Sequence, residues 1–363
     1  MNSSKTHNEP FLIIGQGVAG TLLAYFLIKE KYPFKVIDKP MEGASSSVAA
    51  GIINPVTGRR LVKSWRFDEI SRFAQSTYLG LGSLLGGTFY HKKTILRALK
   101  STFEENEWMR RSGFAEYRSY LSDSADLGSY HAKVTSPHSW GEIKGAAKLD
   151  MPELIYSFRS FLKSKNLLIE KQFDYQDLRI SNDSVEYQGE QFKKVIFCEG
   201  AKAIDNPYFD FLPFSPTKGE IFIVKIDDFQ AQKLLKNKIY ICPLHSNRYW
   251  VGSTNSFDFE HVHPTSHCFN SLKKDLEELL LTPFEIITHK AGIRPTVSDK
   301  RPLLGVHPNY KSLYIFNGLG TKGASLGPFF ANQMVQFLQD RTQLDVDVNI
   351  TRFNVQKRNS ALA

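Results

Sequence analysis

One stretch restricts the fold more than any other: FLIIGQGVAGTLLAYFLIKEKYPFKVIDK, residues 11–39. Four apolar residues, Phe11–Ile14, run into a glycine turn, and a short apolar run bounded by glycine suits a strand covered on both faces. From Val18 to about Lys31 apolar residues recur at helical spacing, and Phe34–Lys39 is a second strand that closes on Asp38. Strand, glycine turn, helix and strand within about 30 residues predict the βαβ unit of a nucleotide fold. Gly15 permits a tight turn, Gly17 lets backbone approach a pyrophosphate, and Gly20 lets the helix lie close on the strand. The helix start aims free N–H groups and a positive dipole end at the phosphates.

Asp38 suits the hydroxyls of an adenosine ribose and would repel a 2′-phosphate, which points to NAD or FAD. The βαβ unit does not separate the two. Farther along, KKVIFCEGA (193–201) and LYIFNGLGTKGASLGP (313–328) are further apolar strands that end in glycine. Three strand-to-glycine turns spread over the chain imply an extended ligand touched from several sides, and so favour FAD. In GASSSVAAGIINP (43–55) the steps Val48, Ala49, Ala50, Ile52 and Ile53 predict a short serine-capped helix offering more N–H donors.

The middle of the chain is mixed. Helices are expected near 68–85, 102–111, 151–165 and 266–281, and strands at 167–171, 185–187 and 194–198. GEIFIVKI (219–226), IYICPL (239–244) and RYWVGST (248–254) then alternate as β-structure, with HSN as a hairpin turn between the last two. A length of 363 residues suggests about two domains. We expect a nucleotide domain assembled from 8–85, 145–215 and 293–350, with a β-rich substrate domain formed by 86–144 and 216–292.

Composition narrows the function classes. No apolar run approaches the length that spans a bilayer, and the first residues lack the basic and apolar regions of an export signal. The three cysteines have no metal-type spacing, which fits a reduced cytoplasmic protein. The cluster EHVHPTSHC (260–268) matches no common zinc pattern, so no metal is expected. The net charge of +9 is spread over short clusters, of which TGRRLVKSWR (57–66) is the densest. Solvated charge is its default reading, and contact with RNA the alternative.

Taken in order, GxGxxG, GASSSVAAG, VIFCEGA, PTKGE, YICP, VGST, AGIRPTVSDKRPLLG and GLGTKG resemble the D-amino-acid oxidase and glycine oxidase family of FAD enzymes. The resemblance runs from about Phe11 to Leu338, and the pairing of YICP with AGIRPTVSDKRPLLG is its most specific part. It implies an α/β fold: a Rossmann-like FAD-binding domain of the glutathione-reductase type, with an inserted antiparallel β-rich substrate domain. It places the adenosine ribose at Asp38 with Lys39 beside it, and the pyrophosphate on Gly15, Gly17, Val18, Ala19 and Gly20. Ser46, Ser47, Ala50 and Gly51 would lie along the phosphates and flavin. Phe173 would touch adenine through its backbone, and Gly200 would line the cofactor. Gly320, Thr321, Lys322, Gly323 and Ala324 would face the flavin pyrimidine, where a helix start stabilises the anionic reduced ring.

Arg294 lies in GIRP, in an apolar strand, and a buried guanidinium requires an anion. The two candidate partners are Asp299, the nearest acid in sequence, and a substrate carboxylate held by two parallel N–H bonds. The resemblance assigns the substrate. Tyr240 of YICP is expected to line the pocket or donate to the same carboxylate. Lys218 stands in PTKGE where the family commonly has arginine, and its role is open. No catalytic base is nominated, and no cysteine near 300–305 suggests a covalent flavin.

The expected activity is oxidation of a C–N bond of a small amino acid or secondary amine, by hydride transfer to flavin N5. The alternatives are a flavoprotein that acts on a wobble-uridine side chain of tRNA, and a noncatalytic flavin-bound subunit. The sequence leaves substrate identity, electron acceptor and oligomeric state open.

Overall fold

The computed structural model describes residues 9–122, 124–181, 184–227 and 229–353. Its first sheet has six strands, in the order Leu303–Val306, Leu313–Asn317, Lys194–Phe197, Phe11–Ile14, Phe34–Ile37, Leu168–Ile169. All neighbours are parallel except the edge strand Leu303–Val306, which runs antiparallel to Leu313–Asn317. The central strand shows why both faces must be apolar. Phe11 and Ile13 enter the core beneath the helices, whereas Leu12 and Ile14 enter a second core with Phe192, Phe197 and Phe209. The helices Val18–Lys29 and Gly323–Leu338 pack together on the first face. The three-stranded meander Leu178–Ile180, Val185–Tyr187 and Glu190–Phe192 supplies apolar residues to the second.

The second sheet is antiparallel apart from one parallel pair, Leu234–Lys236 beside Tyr90–Leu99. From one edge it runs Glu285–Arg294, Thr217–Lys225, Arg248–Gly252, Tyr240–Pro243, Leu234–Lys236, Tyr90–Leu99, Ser139–Leu149, Ile52–Ile53. Leu121–Ser122 also pairs with Ser139–Leu149. Alternation along Thr217–Lys225 divides its faces: Phe222 and Val224 pack under helix Ser266–Leu279, whereas Ile221 and Ile223 turn to the opposite side. That opposite side faces the nucleotide fold and carries the site.

Two expectations change. The residues after Gly43 do form a helix, but it is the single turn Ser45–Val48, it has no side-chain cap, and Ile52–Ile53 is a strand. The β-branched pair completes a sheet edge against Ala147 and Lys148, a tertiary pairing that local spacing does not reveal. The division expected at 144/145 falls inside the continuous strand Ser139–Leu149. Among the described residues no helix is long and apolar enough to cross a membrane, and no group of three or more His, Cys, Asp or Glu comes together as metal ligands.

Candidate active site

Two adjoining cavities, of about 590 and 470 Å³, share Val18, Ser45, Ser46 and Gly320 as walls. The larger is lined by Gly15, Gly17, Val18, Ala19, Asp38, Lys39, Ser46, Ser47, Gly200 and Gly320 from the expected cofactor set. The smaller is lined by Ala50, Gly51 and Gly320–Ala324, and by Arg294 and Tyr240. The structure thus joins segments separated by some 300 residues into one cleft running from Asp38 to Arg294. Gly20 and Phe173 line neither cavity. Gly20 lies under the glycine turn, and the Phe173 ring stacks on Tyr187 with centroids 4.7 Å apart.

The cradle is built from backbone. Gly15 has φ +98°, and a Cβ there would come within 2.6 Å of the Cys198 carbonyl oxygen, so only glycine serves. Ser46 caps a different helix from its own: its Oγ accepts from the Val18 N–H at 3.0 Å, at the start of Val18–Lys29. The Asp38 carboxylate accepts from the Gln16 backbone N–H at 2.9 Å and from Arg159 at 2.5 Å. Arg159, on helix Met151–Ser164, went unnoticed in the sequence; its side chain reaches the site only because that helix packs beside the βαβ unit. Glu199 lines the same cavity, and burial pushes its carboxyl up to about 7 despite hydrogen bonds from Tyr175 (2.5 Å) and Asn206 (2.8 Å). A glycine cradle, a helix start and a ribose-type acid on one elongated cleft fit a dinucleotide.

At the other end, Arg294 has no carboxylate partner among the described residues. It donates to Ser253 Oγ (2.7 Å), Asn255 Oδ1 (3.0 Å) and the Thr254 carbonyl (3.2 Å). Asp299, the acid nearest in sequence, pairs with Arg352 at 2.8 Å instead. Three neutral acceptors orient the guanidinium and leave its charge unmatched, and burial lowers its pKa. Tyr240 is positioned just as locally. The Val56 N–H donates to Asn54 Oδ1 (3.0 Å), which turns the Asn54 amide nitrogen onto the Tyr240 oxygen (3.0 Å). Having accepted there, the phenol keeps its own proton to donate into the cavity. Burial raises its pKa, so that proton stays on. Asn54 could have been suspected from its place beside the glycine-rich stretch, but its partner lies 186 residues away.

Lys322 also lines this cavity; burial brings its ammonium down to about 8, and it donates to Ser64 Oγ at 3.2 Å. Lys218 does not reach the cleft. It lies on the other face of its strand, 2% exposed, paired with Glu220 at 3.1 Å and donating to the His263 carbonyl. Its role is to brace the loop that follows Gly252.

Gly219, between Lys218 and Glu220, has the opposite orientation: a Cβ there would overlap the Arg294 guanidinium. The Gly219→Ala variant is therefore expected to keep the wild-type folding stability within about 1 kcal/mol, since a flexible side-chain end yields. Carboxylate binding, followed by perturbation of the flavin spectrum, should weaken at least tenfold. Unchanged binding would mean that the guanidinium finds an equivalent pose.

Residues 11–337 match the DAO family, FAD dependent oxidoreductase. The chain belongs to this family. FAD is accordingly its cofactor, and the chain is an FAD-dependent oxidoreductase. Among curated relatives, glycine oxidase of Bacillus subtilis (strain 168) is 24% identical over 353 residues, covering 89% of this chain and 91% of the relative. Two solved structures share the fold. Glycine oxidase from Bacillus cereus ATCC 14579 superposes with TM-score 0.79 at 19% identity, covering 92% of this chain and 96% of that one. Iminodiacetate oxidase from Chelativorans sp. BNC1 gives TM-score 0.76 at 21% identity, covering 95% and 98%.

Proposed function

We propose that the protein oxidises a C–N bond of a small amino acid or secondary amine that carries a carboxylate. The observation that carries this reading is Arg294: a half-buried cation without a carboxylate partner among the described residues, on the same cavity as Gly320–Ala324 and Tyr240. The names of the relatives, glycine oxidase and iminodiacetate oxidase, support a substrate of that class.

Arg294 anchors the carboxylate through N–H groups that its neutral partners already aim, and the Tyr240 hydroxyl adds a donor from three strands away in the same sheet. Together they hold the α-carbon in one place, which converts binding energy into orientation. FAD, held noncovalently along Gly15, Gly17, Ser46 and Gly320–Ala324, would supply the acceptor for the hydride that leaves the α-carbon of a neutral amine. The nitrogen lone pair closes the C=N bond, and water hydrolyses the resulting iminium to a carbonyl compound and the free amine. This requires no side-chain base.

A second reading, action on modified tRNA, draws on the hairpin Val56–Thr57/Val62–Lys63, which leaves Arg59 and Arg60 exposed beside the cavity walls Thr57 and Gly58. The rest of that basic segment is already engaged. Lys63 pairs with Asp68 at 2.6 Å, and Arg66 pairs with Glu69 (2.8 Å) and Asp345. The small-amine reading is therefore preferred.

Anaerobic mixing of the holoenzyme with glycine, sarcosine, proline and both enantiomers of alanine tests it. At least one should bleach the flavin absorbance. If dithionite bleaches it and none of a broad amine panel does, the proposal fails; bleaching by modified tRNA alone would establish the second reading.

A further inference from the structure

The sheet that carries Arg294 also holds, several strands away, cations that the proposed reaction does not use. Arg97, Lys236 and Tyr240 are register partners on three adjacent strands, so their side chains stand in one row on one face of the sheet. That face is the cavity's, because Lys236 and Tyr240 both line it. The Lys236 ammonium sits over the Tyr240 ring, 4.6 Å from its centroid, and spends one N–H on the Lys238 carbonyl at 2.8 Å. Two further N–H donors remain. Arg97 beside it donates to the Gly58 carbonyl at 2.9 Å, which ties the mouth of the cavity to the same row.

Neither Lys236 nor Arg97 forms an ion pair with a carboxylate among the described residues. Asp275, the acid whose charge reaches Lys236, is held by Lys238 at 3.2 Å. Burial, with Arg97 and Lys100 close by, brings the Lys236 ammonium down to about 8. Desolvated like charges gathered on a cavity wall are costly unless an anion joins them.

We propose that Lys236, backed by Arg97, forms a second anion subsite that takes a distal carboxylate of the substrate, while Arg294 holds the first. The substrate is then an amino or imino diacid. The identity of the oxidised amine rests on the function proposed above, whereas the subsite does not. The register sets Tyr240, under the Lys236 ammonium, level with Ile221 two strand spacings (about 10 Å) away; Gly219, over which the Arg294 guanidinium lies, is two residues (about 7 Å) farther along that strand, so about 12 Å separates the two cations. With contacts of about 3 Å at each end, a diacid with roughly two to four atoms between its carboxylates bridges that gap.

The holoenzyme is titrated with glutarate and with butyrate, following the flavin spectrum, which needs no turnover. Wild type should bind glutarate at least tenfold tighter than butyrate. Lys236→Gln should reduce that ratio tenfold or more, and Lys236→Arg should retain most of it. A wild-type ratio near one, or a ratio unchanged in Lys236→Gln, overturns the subsite. So does competition by an oligoribonucleotide that depends on Lys236 when glutarate does not bind. Both enantiomers of glutamate and 2-aminoadipate are then compared with alanine as reductants of the flavin. Lys236-dependent glutarate binding without bleaching by any amine leaves the subsite standing and removes the amine function. Bleaching by amines without a preference for diacids does the reverse.

Discussion

Replacing Arg294 by Ala is expected to lower kcat/KM for any carboxylate amine by about 30- to 1000-fold, which is about 2–4 kcal/mol. The loss is large because the guanidinium is held ready in the absence of substrate. Ser253, Asn255 and Thr254 offer it only neutral oxygens, so a carboxylate adds the missing charge and, by displacing a neutral acceptor from Nη2, gains two parallel charge-assisted bonds. Lysine should not restore the rate, since one ammonium cannot reproduce a planar fork. The FAD content of Arg294→Ala should stay at the wild-type level, because the residues around Asp38 are untouched. Steady-state kinetics on the best amine of the panel decide the matter, and an unchanged KM would remove Arg294 from the substrate site.

The Gly20→Ala variant is expected to emerge from purification almost without FAD. A Cβ at that position would overlap the Gly15 carbonyl oxygen, with Ile13 Cγ2 behind it at 3.4 Å. The conflict is with backbone, so no rotamer relieves it: helix Val18–Lys29 must lift from the strand Phe11–Ile14. Overpacking of this kind costs about 1–3 kcal/mol in the apoprotein. The lift also carries the helix N–H groups away from the phosphates, and FAD affinity should fall at least 100-fold. Gly17→Ala makes the contrast, since its Cβ would meet only the Ser46 hydroxyl, at 3.3 Å. Its apoprotein should melt close to wild type. FAD fluorescence titration and thermal melts of the two apoproteins separate the cases; wild-type affinity in Gly20→Ala would show that the helix seat is not what holds the pyrophosphate.

The parts legible in the sequence were those encoded over short spans. The βαβ unit, the hairpin at residues 245–247 and the C-terminal strand–loop–helix each follow from periodicity and turn residues within about 30 positions. The position of Arg294 in GIRP was equally plain, yet its environment was not. Asp299, five residues on, turns to Arg352, and the residues that orient the guanidinium come from the loop after Gly252. The same limit hid Arg159, Asn54 and Lys236. Each reaches the site through a pairing between distant segments, and a charged or amide residue in a helix or strand carries no local mark of its partner. The helix at Ser45–Val48 shows the converse, since Ile52 and Ile53 obey the sheet edge rather than their own spacing.

The strand Phe11–Ile14 lies at the middle of its sheet, yet one of its two neighbours, Lys194–Phe197, is made long after it, and the strand beyond that, Leu313–Asn317, later still. During synthesis, at about 5–20 residues per second, one edge of the opening strand stays unzipped for many seconds. A bare, apolar edge of that kind recruits other chains. An architecture whose central strand waits for partners made so much later thus makes the nascent polypeptide sticky, and production in cells should improve with a holdase bound to the emerging segment.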